Sequence, residues 1–127
     1  MRRLSAEPIL SLDPTKVLAI EDSGPVVVLD QVRDAGQDIN LISDEPSLEG
    51  VYAKIQEISS AINQPEAGVK LVDELRAGLK LITETIAKAD TKPRVLLVLS
   101  FGRGGSAVAA GKNTSADSII SIVGAQN

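Results

Sequence analysis

Hydrophobic spacing divides this chain into short apolar runs and longer amphipathic stretches. Leu48, Val51, Tyr52, Ile55, Ile58 and Ile62 recur at intervals that put them on one face of a helix over Ser47–Ile62. Ser47 is placed to cap that helix. Downstream, Leu71, Val72, Leu75, Leu79, Ile82 and Ile86 repeat the same pattern. They predict a long helix over Pro65–Ala89, which at ~1.5 Å per residue reaches about 40 Å. Asn63-Gln64-Pro65 breaks the chain between the two helices, and Pro65 suits a first helical position. Asp90–Pro93 ends the long helix.

Three apolar runs are too short for helices and read as buried strands: "KVLAI" (Lys16–Ile20), "DINLIS" (Asp38–Ser43) and "RVLLVLS" (Arg94–Ser100). Ala107–Ala110 fits a further short strand. Three shorter helices complete the chain. The first is Ser5–Leu12, with Ser5 as cap, Glu7 in the first turn and Pro8 near enough to the start to be tolerated. Asp13-Pro14 then turns the chain. The second is Gly24–Ala35, capped by Ser23, with Val28, Leu29 and Val32 facing inward and Gly36 as its stop. The third is Thr114–Val123, capped by Asn113 or Thr114, with Asp117 and Ser118 facing outward and Gly124 closing it.

Strands alternating with helices predict an α/β fold with parallel sheets. Two strands precede the long helix and one or two follow it, so neither group makes a complete sheet. The sequence therefore reads as part of a larger architecture, or as a chain that completes itself by association. Open sheet edges and apolar helix faces predict a homodimer.

Composition narrows the chemistry. The 127 residues suffice for one ordinary core, and 43% hydrophobic with 24% charged is a globular balance. A net charge of −4 gives no electrostatic footprint for nucleic acid. Aromatics at 2% leave almost no stacking platform. The chain has no cysteine and no histidine. That removes thiolate nucleophiles, disulfides, Cys/His zinc sites, histidine acid–base catalysis and a histidine ligand to iron. The opening "MRRLSAEPILSL" has arginines without a continuous apolar stretch behind them, so it does not read as a secretory signal.

In open parallel α/β sheets, ligands bind beyond the carboxyl ends of the strands. The loops there are "EDSGP" (Glu21–Pro25), "DEP" (Asp44–Pro46) and "FGRGGS" (Phe101–Ser106). If the long helix joins two lobes, the first two loops face the third across a cleft. The glycine loop admits three readings. A phosphate cradle needs a helix opening straight after the glycines, and here "SAVAAGKNT" intervenes. A plain turn needs nothing more. A cleft wall uses glycine to bring backbone close to a flat ligand. Tyr52 could ligate a metal in principle, but its place on the apolar face of a helix reads as core packing. Glu21, Asp22, Asp44 and Glu45 form an acidic rim that reads as solvated.

Taken in order, "LSAEPILSLDPTKVLAI", "SGPVVVLDQVRDAG", "DEPSLEGVYAKIQEIS" and "RVLLVLSFGRGGSAVAAGKNTSADSIISIVGAQN" resemble the periplasmic haem-binding proteins of bacterial haem-uptake ABC transporters. The wider class also carries cobalamin and iron siderophores. The resemblance covers essentially the whole chain. It implies a partial two-lobed periplasmic-binding-protein fold in which one long helix joins two α/β lobes. Residues 1–63 match the second half of the first lobe, 64–90 the interlobe helix, and 91–127 the start of the second lobe.

The resemblance also implies a function and its residues. The protein would be an extracytoplasmic, periplasmic solute-binding protein and not an enzyme, capturing haem and delivering it to an ABC permease. Ser23, Gly24 and Pro25 would line the ligand cleft from one side, and Phe101, Gly102, Arg103, Gly104 and Gly105 from the other. Arg103 would pair with a haem propionate. Glu7 would dock an arginine of the permease. Family members supply an axial tyrosine from sequence that matches no part of this chain, so the chain alone is expected to bind haem weakly or not at all. A cobalamin or siderophore binder is the alternative within the class. A nucleotide-binding enzyme lobe is the alternative outside it, and it lacks a proper phosphate loop and a base–nucleophile pair.

Overall fold

Helix α3 (Leu48–Ala61) forms where the sequence places it, because its first turn is held by a side chain. Ser47 Oγ accepts a hydrogen bond from the Gly50 N–H at 2.9 Å. Its last turn closes on Asn63, whose φ of 59° is left-handed. The Gln64 N–H then reaches back to the Ser59 carbonyl at 2.7 Å and the Asn63 N–H to that of Ser60 at 3.0 Å. This double closure reverses the chain and launches helix α4 (Pro65–Ile86) beside α3, with Pro65 at its start. The computed structural model describes residues 4–102 and 104–127.

The two helices pack closely because one of them presents a glycine. A Cβ on Gly68 would stand 2.0 Å from Ser59 Oγ, so no larger residue fits there. Ser59 is buried and turns its hydroxyl onto the Gln56 carbonyl at 3.0 Å, which leaves no unpaired polar group in the contact. Further along, Tyr52 is 4% exposed and its ring lies beneath the Arg76 guanidinium, 4.8 Å from the centroid. Arg76 also pairs with Glu49 at 3.5 Å. Tyr52 is thus a core residue, as its position on the apolar face implies.

The first half of the chain builds a small parallel sheet under these helices. Helix α1 (Ala6–Leu10) precedes strand β1 (Val17–Ile20), helix α2 (Val26–Asp34) and strand β2 (Ile39–Ile42). β1 and β2 pair in parallel with Val17 opposite Ile39 and Ile20 opposite Ile42. The core runs from Val28, Leu29 and Val32 of α2 through Ile42 of β2 to Tyr52 and Val72. Both faces of the sheet keep exposed aliphatic side chains, Leu18 and Ile20 on one and Leu41 on the other.

After α4 the architecture departs from expectation in one respect. Strand β3 (Val98–Phe101) and strand β4 (Ala107–Ala109) are antiparallel, not parallel. The reason is the connection. A short glycine loop can only return a strand on its neighbour, whereas a parallel pair needs a crossover of a dozen residues or more. A parallel contact does exist further upstream, where Arg94 bridges Gln126 after helix α5 (Ser115–Ile122). The run that was expected as one buried strand is therefore split. Arg94 pairs on one side, only Val98–Phe101 is regular strand, and the side chains are exposed, Leu96 at 72%. Around α5, Ala110 and Ile120 are the described residues that become buried.

Other boundaries shift by a few residues for local reasons. Ser5 makes no side-chain cap, and α1 stops at Leu10, where Ser11 Oγ bonds back to the Pro8 carbonyl at 2.9 Å. α2 starts at Val26, because Gly24 has a φ of 66° and cannot be helical. Ser23 does not cap α2; its hydroxyl accepts from the Ile20 N–H at 3.1 Å, and Pro25 stands at the cap. α4 ends at Ile86 instead of Ala89, its last turn tightening through the Lys88 N–H to the Thr85 carbonyl. No described helix is long and apolar enough to cross a membrane.

Two glycines of α4 should respond in opposite ways to alanine. Gly68→Ala should destabilise the protein by about 1–3 kcal/mol, the usual cost of overpacking a tight contact. Gly78 has nothing within 4 Å of a Cβ, so Gly78→Ala should stabilise by roughly 0.5–1 kcal/mol through helix propensity. Urea unfolding followed by circular dichroism measures both. Equal effects would contradict the close packing at Ser59.

Candidate functional site

A cleft of about 180 Å³ lies between the start of α3, the loop that precedes it, and α5. Its first wall is the segment Ser43–Ser47, and α3 pins that segment at several points. The Ser43 N–H donates to Glu57 Oε2 at 2.9 Å. Lys54 pairs with Asp44 at 2.6 Å. Ser47 Oγ donates to Glu45 Oε1 at 2.7 Å while accepting from Gly50. Gly50 lets the loop come this near, since a Cβ there would stand 2.2 Å from the Glu45 carbonyl oxygen. The wall is therefore rigid before any ligand arrives.

The second wall is α5. Thr114 caps it, accepting from the Asp117 N–H at 3.3 Å, and Asp117 Oδ2 in turn accepts from the Asn113 N–H at 3.0 Å. Asn127 Nδ2 donates to the other Asp117 oxygen at 3.1 Å, which ties the end of the chain to the start of the helix. Gly124, with a φ of 74°, ends α5 and lets it settle on α4: a Cβ there would stand 2.3 Å from Ile86 Cγ2.

Between the walls the surface is mainly aliphatic. Leu48 and Val51 face Ile119 and Ile122, with Ser115 and Ser118 at the polar margin. Ser118 Oγ donates to the Pro46 carbonyl and so bridges the two walls directly. Lys54 and Asp44 cancel each other at the rim. No group of acidic residues among the described residues is arranged to hold a metal ion. The rim carboxylates of Asp44 and Glu45 are thus occupied by Lys54 and Ser47.

The residues singled out from sequence fall in three places. Ser23, Gly24 and Pro25 form the turn after β1, where Gly24 is pressed against Leu4: a Cβ would lie 2.6 Å from Leu4 Cδ2. Phe101, Gly102, Gly104 and Gly105 form the β3–β4 hairpin loop. Its backbone closes through the Gly102 N–H to the Ser106 carbonyl at 2.8 Å, with φ of 103° at Gly104 and 84° at Gly105. A strand follows it, not a helix, so the loop has no helix start at which to hold phosphate. Phe101 is 77% exposed at its mouth. Arg103 lies outside the described residues. Neither loop contributes to the cleft of Asp44–Val51 and α5. Glu7 is exposed on α1 beside an open groove that Leu10 and Gln31 also line.

Sequence reading named the "DEP" loop as one wall but missed its partner. Ser118 was expected to face outward, as was Asp117. Ser118 instead reaches the opposite wall, and Asp117 holds Asn113 and Asn127. The signal was present in the helix itself, since Ser115, Ser118, Ile119 and Ile122 share one face.

Comparison with known proteins places this geometry in a family. A sequence profile described as "Periplasmic binding protein" matches residues 1–127. Among solved structures, the periplasmic heme-binding protein RhuT from Roseiflexus sp. RS-1 is similar, at 35% identity and a TM-score of 0.87, over 99% of this chain and 48% of that one. Among curated proteins, the vitamin B12-binding protein of Vibrio campbellii is 27% identical over 98% of this chain and 43% of its own length. An uncharacterized ABC transporter substrate-binding lipoprotein, YvrC of Bacillus subtilis, is also 27% identical, over 98% of this chain and 40% of its own. The chain thus spans about half the length of the solved structure, and less of the curated relatives.

The pinning of the first wall gives a direct expectation. Glu57→Ala should cost about 1–2 kcal/mol of stability, because the Ser43 N–H loses its acceptor in a part-buried setting. Glu57→Gln keeps an acceptor oxygen and should cost less. Amide exchange at Ser43 should quicken in the alanine variant only; equal exchange in both would show that the carboxylate does not hold the loop.

Proposed function

The chain belongs to the periplasmic binding protein family, and from that premise we propose that it serves in the capture of haem outside the cytoplasm and its delivery to the permease of an ABC transporter. The observation that carries this reading is the match to a periplasmic heme-binding protein along essentially the whole of this chain. The cleft agrees with it in character: a flat, largely apolar ligand suits two aliphatic walls with few polar groups. On this reading the protein is periplasmic, and it binds its cargo without transforming it.

The chain's own residues take defined parts. Ser23–Pro25 and Phe101–Gly105 are ligand-contacting loops that stand apart from the cleft of Asp44–Val51 and α5, the exposed Phe101 ring offering a flat face to a macrocycle. Arg103 pairs with a propionate. Glu7, exposed on the first helix, meets an arginine of the permease. Iron receives no strong axial ligand from the described residues. Histidine and cysteine are absent, and the one tyrosine, Tyr52, is packed under Arg76. Haem binding by this chain alone therefore rests on its apolar faces and is weak or absent. A cobalamin cargo is the second reading, supported by the similarity to a vitamin B12-binding protein.

Haemin titration followed by absorbance tests the choice. The expected result is a small Soret shift without a tyrosinate-type spectrum, weakened further by Arg103→Ala. A tight tyrosinate-type complex would overturn the account of Tyr52. Binding of cyanocobalamin without any response to haemin would transfer the function to the second reading.

The open faces of the two small sheets lead to a further proposal, that the chain pairs with a second copy. Leu18, Ile20 and Leu41 in one sheet and Leu99, Phe101 and Val108 in the other are exposed. Sedimentation equilibrium should return twice the 13.3 kDa chain mass. A stable monomer across the concentration range would refute it.

A further inference from the structure

Charge is spread unevenly along this chain. Residues 1–86 hold fifteen carboxylates against eight cations, and residues 87–127 hold two against five. Ion pairing follows the same division. Lys16, Arg33, Lys54, Lys70, Arg76 and Lys80 each stand within 4.0 Å of a carboxylate. Among the described residues after Ile86, Lys88, Lys92, Arg94 and Lys112 have no such partner.

Two of these cations come together. Lys92 and Lys112 line a cavity of about 550 Å³ beside α5, with Ser121, Gln126 and Asn127. The backbone next to each lysine is fixed. Pro93, which follows Lys92, accepts from the Gln126 N–H at 2.9 Å, and the Val95 N–H donates to the Gln126 carbonyl at 2.8 Å. Gly111, which precedes Lys112, has its carbonyl engaged by Thr114 Oγ1 at 2.8 Å and by Asn127 Nδ2 at 3.3 Å. Asp117 also lines the cavity, but both its oxygens are taken, by the Asn113 N–H at 3.0 Å and by Asn127 Nδ2 at 3.1 Å. It pairs with neither lysine, so the cavity keeps an excess of positive charge.

We propose that this cavity is an anion site for a phosphoryl group, carried either by a soluble phosphate or by a phospholipid headgroup. Its polar side chains are rich in donors: two ammonium groups, a hydroxyl and the amide of Gln126. A phosphoryl group presents three acceptor oxygens and close to two negative charges, which suit point charges arriving from different directions. A carboxylate presents two oxygens in one plane and is met better by an arginine fork. Both lysines are exposed, so the affinity is modest and falls with salt. The whole chain carries −4, so its overall field opposes anions and capture is local to this cavity. The site goes beyond the solute-binding reading and does not depend on which cargo the cleft takes.

Amide chemical shifts of the full chain, followed during titration with sodium phosphate, test the site against sodium chloride at matched ionic strength. Phosphate should give saturable shifts at Gly111–Asn113 and Ala125–Asn127 that chloride does not give. Lys92→Ala and Lys112→Ala should each weaken binding about three- to tenfold, whereas Lys70→Ala on α4 should leave it unchanged. Signals from α3 and α4 that keep their positions in the variants verify the fold. Flotation with vesicles of equal phosphatidylcholine and phosphatidylglycerol separates the two sources. Flotation lost on replacing both lysines assigns the site to a headgroup, and a phosphate response without flotation assigns it to a soluble phosphate. Acetate giving the same shifts at the same concentrations would overturn the phosphoryl assignment. Shifts that survive replacement of both lysines would overturn the site, as would silence towards both phosphate and vesicles. A failure of haemin to bind would refute the proposed cargo and leave these readouts unaffected.

Discussion

The close approach of α3 and α4 at Ser59 and Gly68 is the constraint from which the remaining geometry follows. A glycine within a helix costs conformational entropy and helix propensity. Here it gains a contact that no other residue permits, with Ser59 Oγ standing where a Cβ would be. The contact holds the long helix against α3, and the position of Ile86 follows from that alignment. Ile86 then receives Gly124, which places α5. α5 in turn meets the loop before α3 through Ser118. The cleft is the gap left by this circuit, so its shape depends on a packing contact far from its mouth.

The circuit uses glycine twice for the same purpose, at Gly68 and Gly124, but with different backbone demands. Gly68 is helical and is required only for space. Gly124 is left-handed as well, so a substitution there meets both strain and a clash with Ile86. Gly50 adds a third close approach that fixes the cleft loop to α3. A chain with few aromatics fills little volume per contact, and this one brings its backbones close together instead.

Much of this was legible in the sequence. The helical period gave α3 and α4, the Asn63–Pro65 break gave their reversal, and the cap residues Ser47 and Thr114 stand where expected. Parallel pairing of β1 and β2 followed from the helix between them. What could not be read was the partner of each strand when no helix intervened. The run from Arg94 to Phe101 has the composition of a buried strand, yet its direction relative to β4 was set by a short loop and its exposure by the absence of a covering layer among the described residues. Ser118 was misassigned because a serine on a short helix usually faces water. Nothing local marks the one that meets a carbonyl 72 positions away.

The aliphatic character of the cleft bears on what can be selected there. Leu48, Val51, Ile119 and Ile122 offer area and no directional bonds. Apolar contacts distinguish ligands weakly, by about 1–3 kcal/mol for a methylene, whereas a hydrogen bond built for one group rejects its absence strongly. Such walls would accept a porphyrin and a corrin on similar terms. That is consistent with similarity to both a heme-binding and a vitamin B12-binding protein. Discrimination must then come from polar groups outside this cleft.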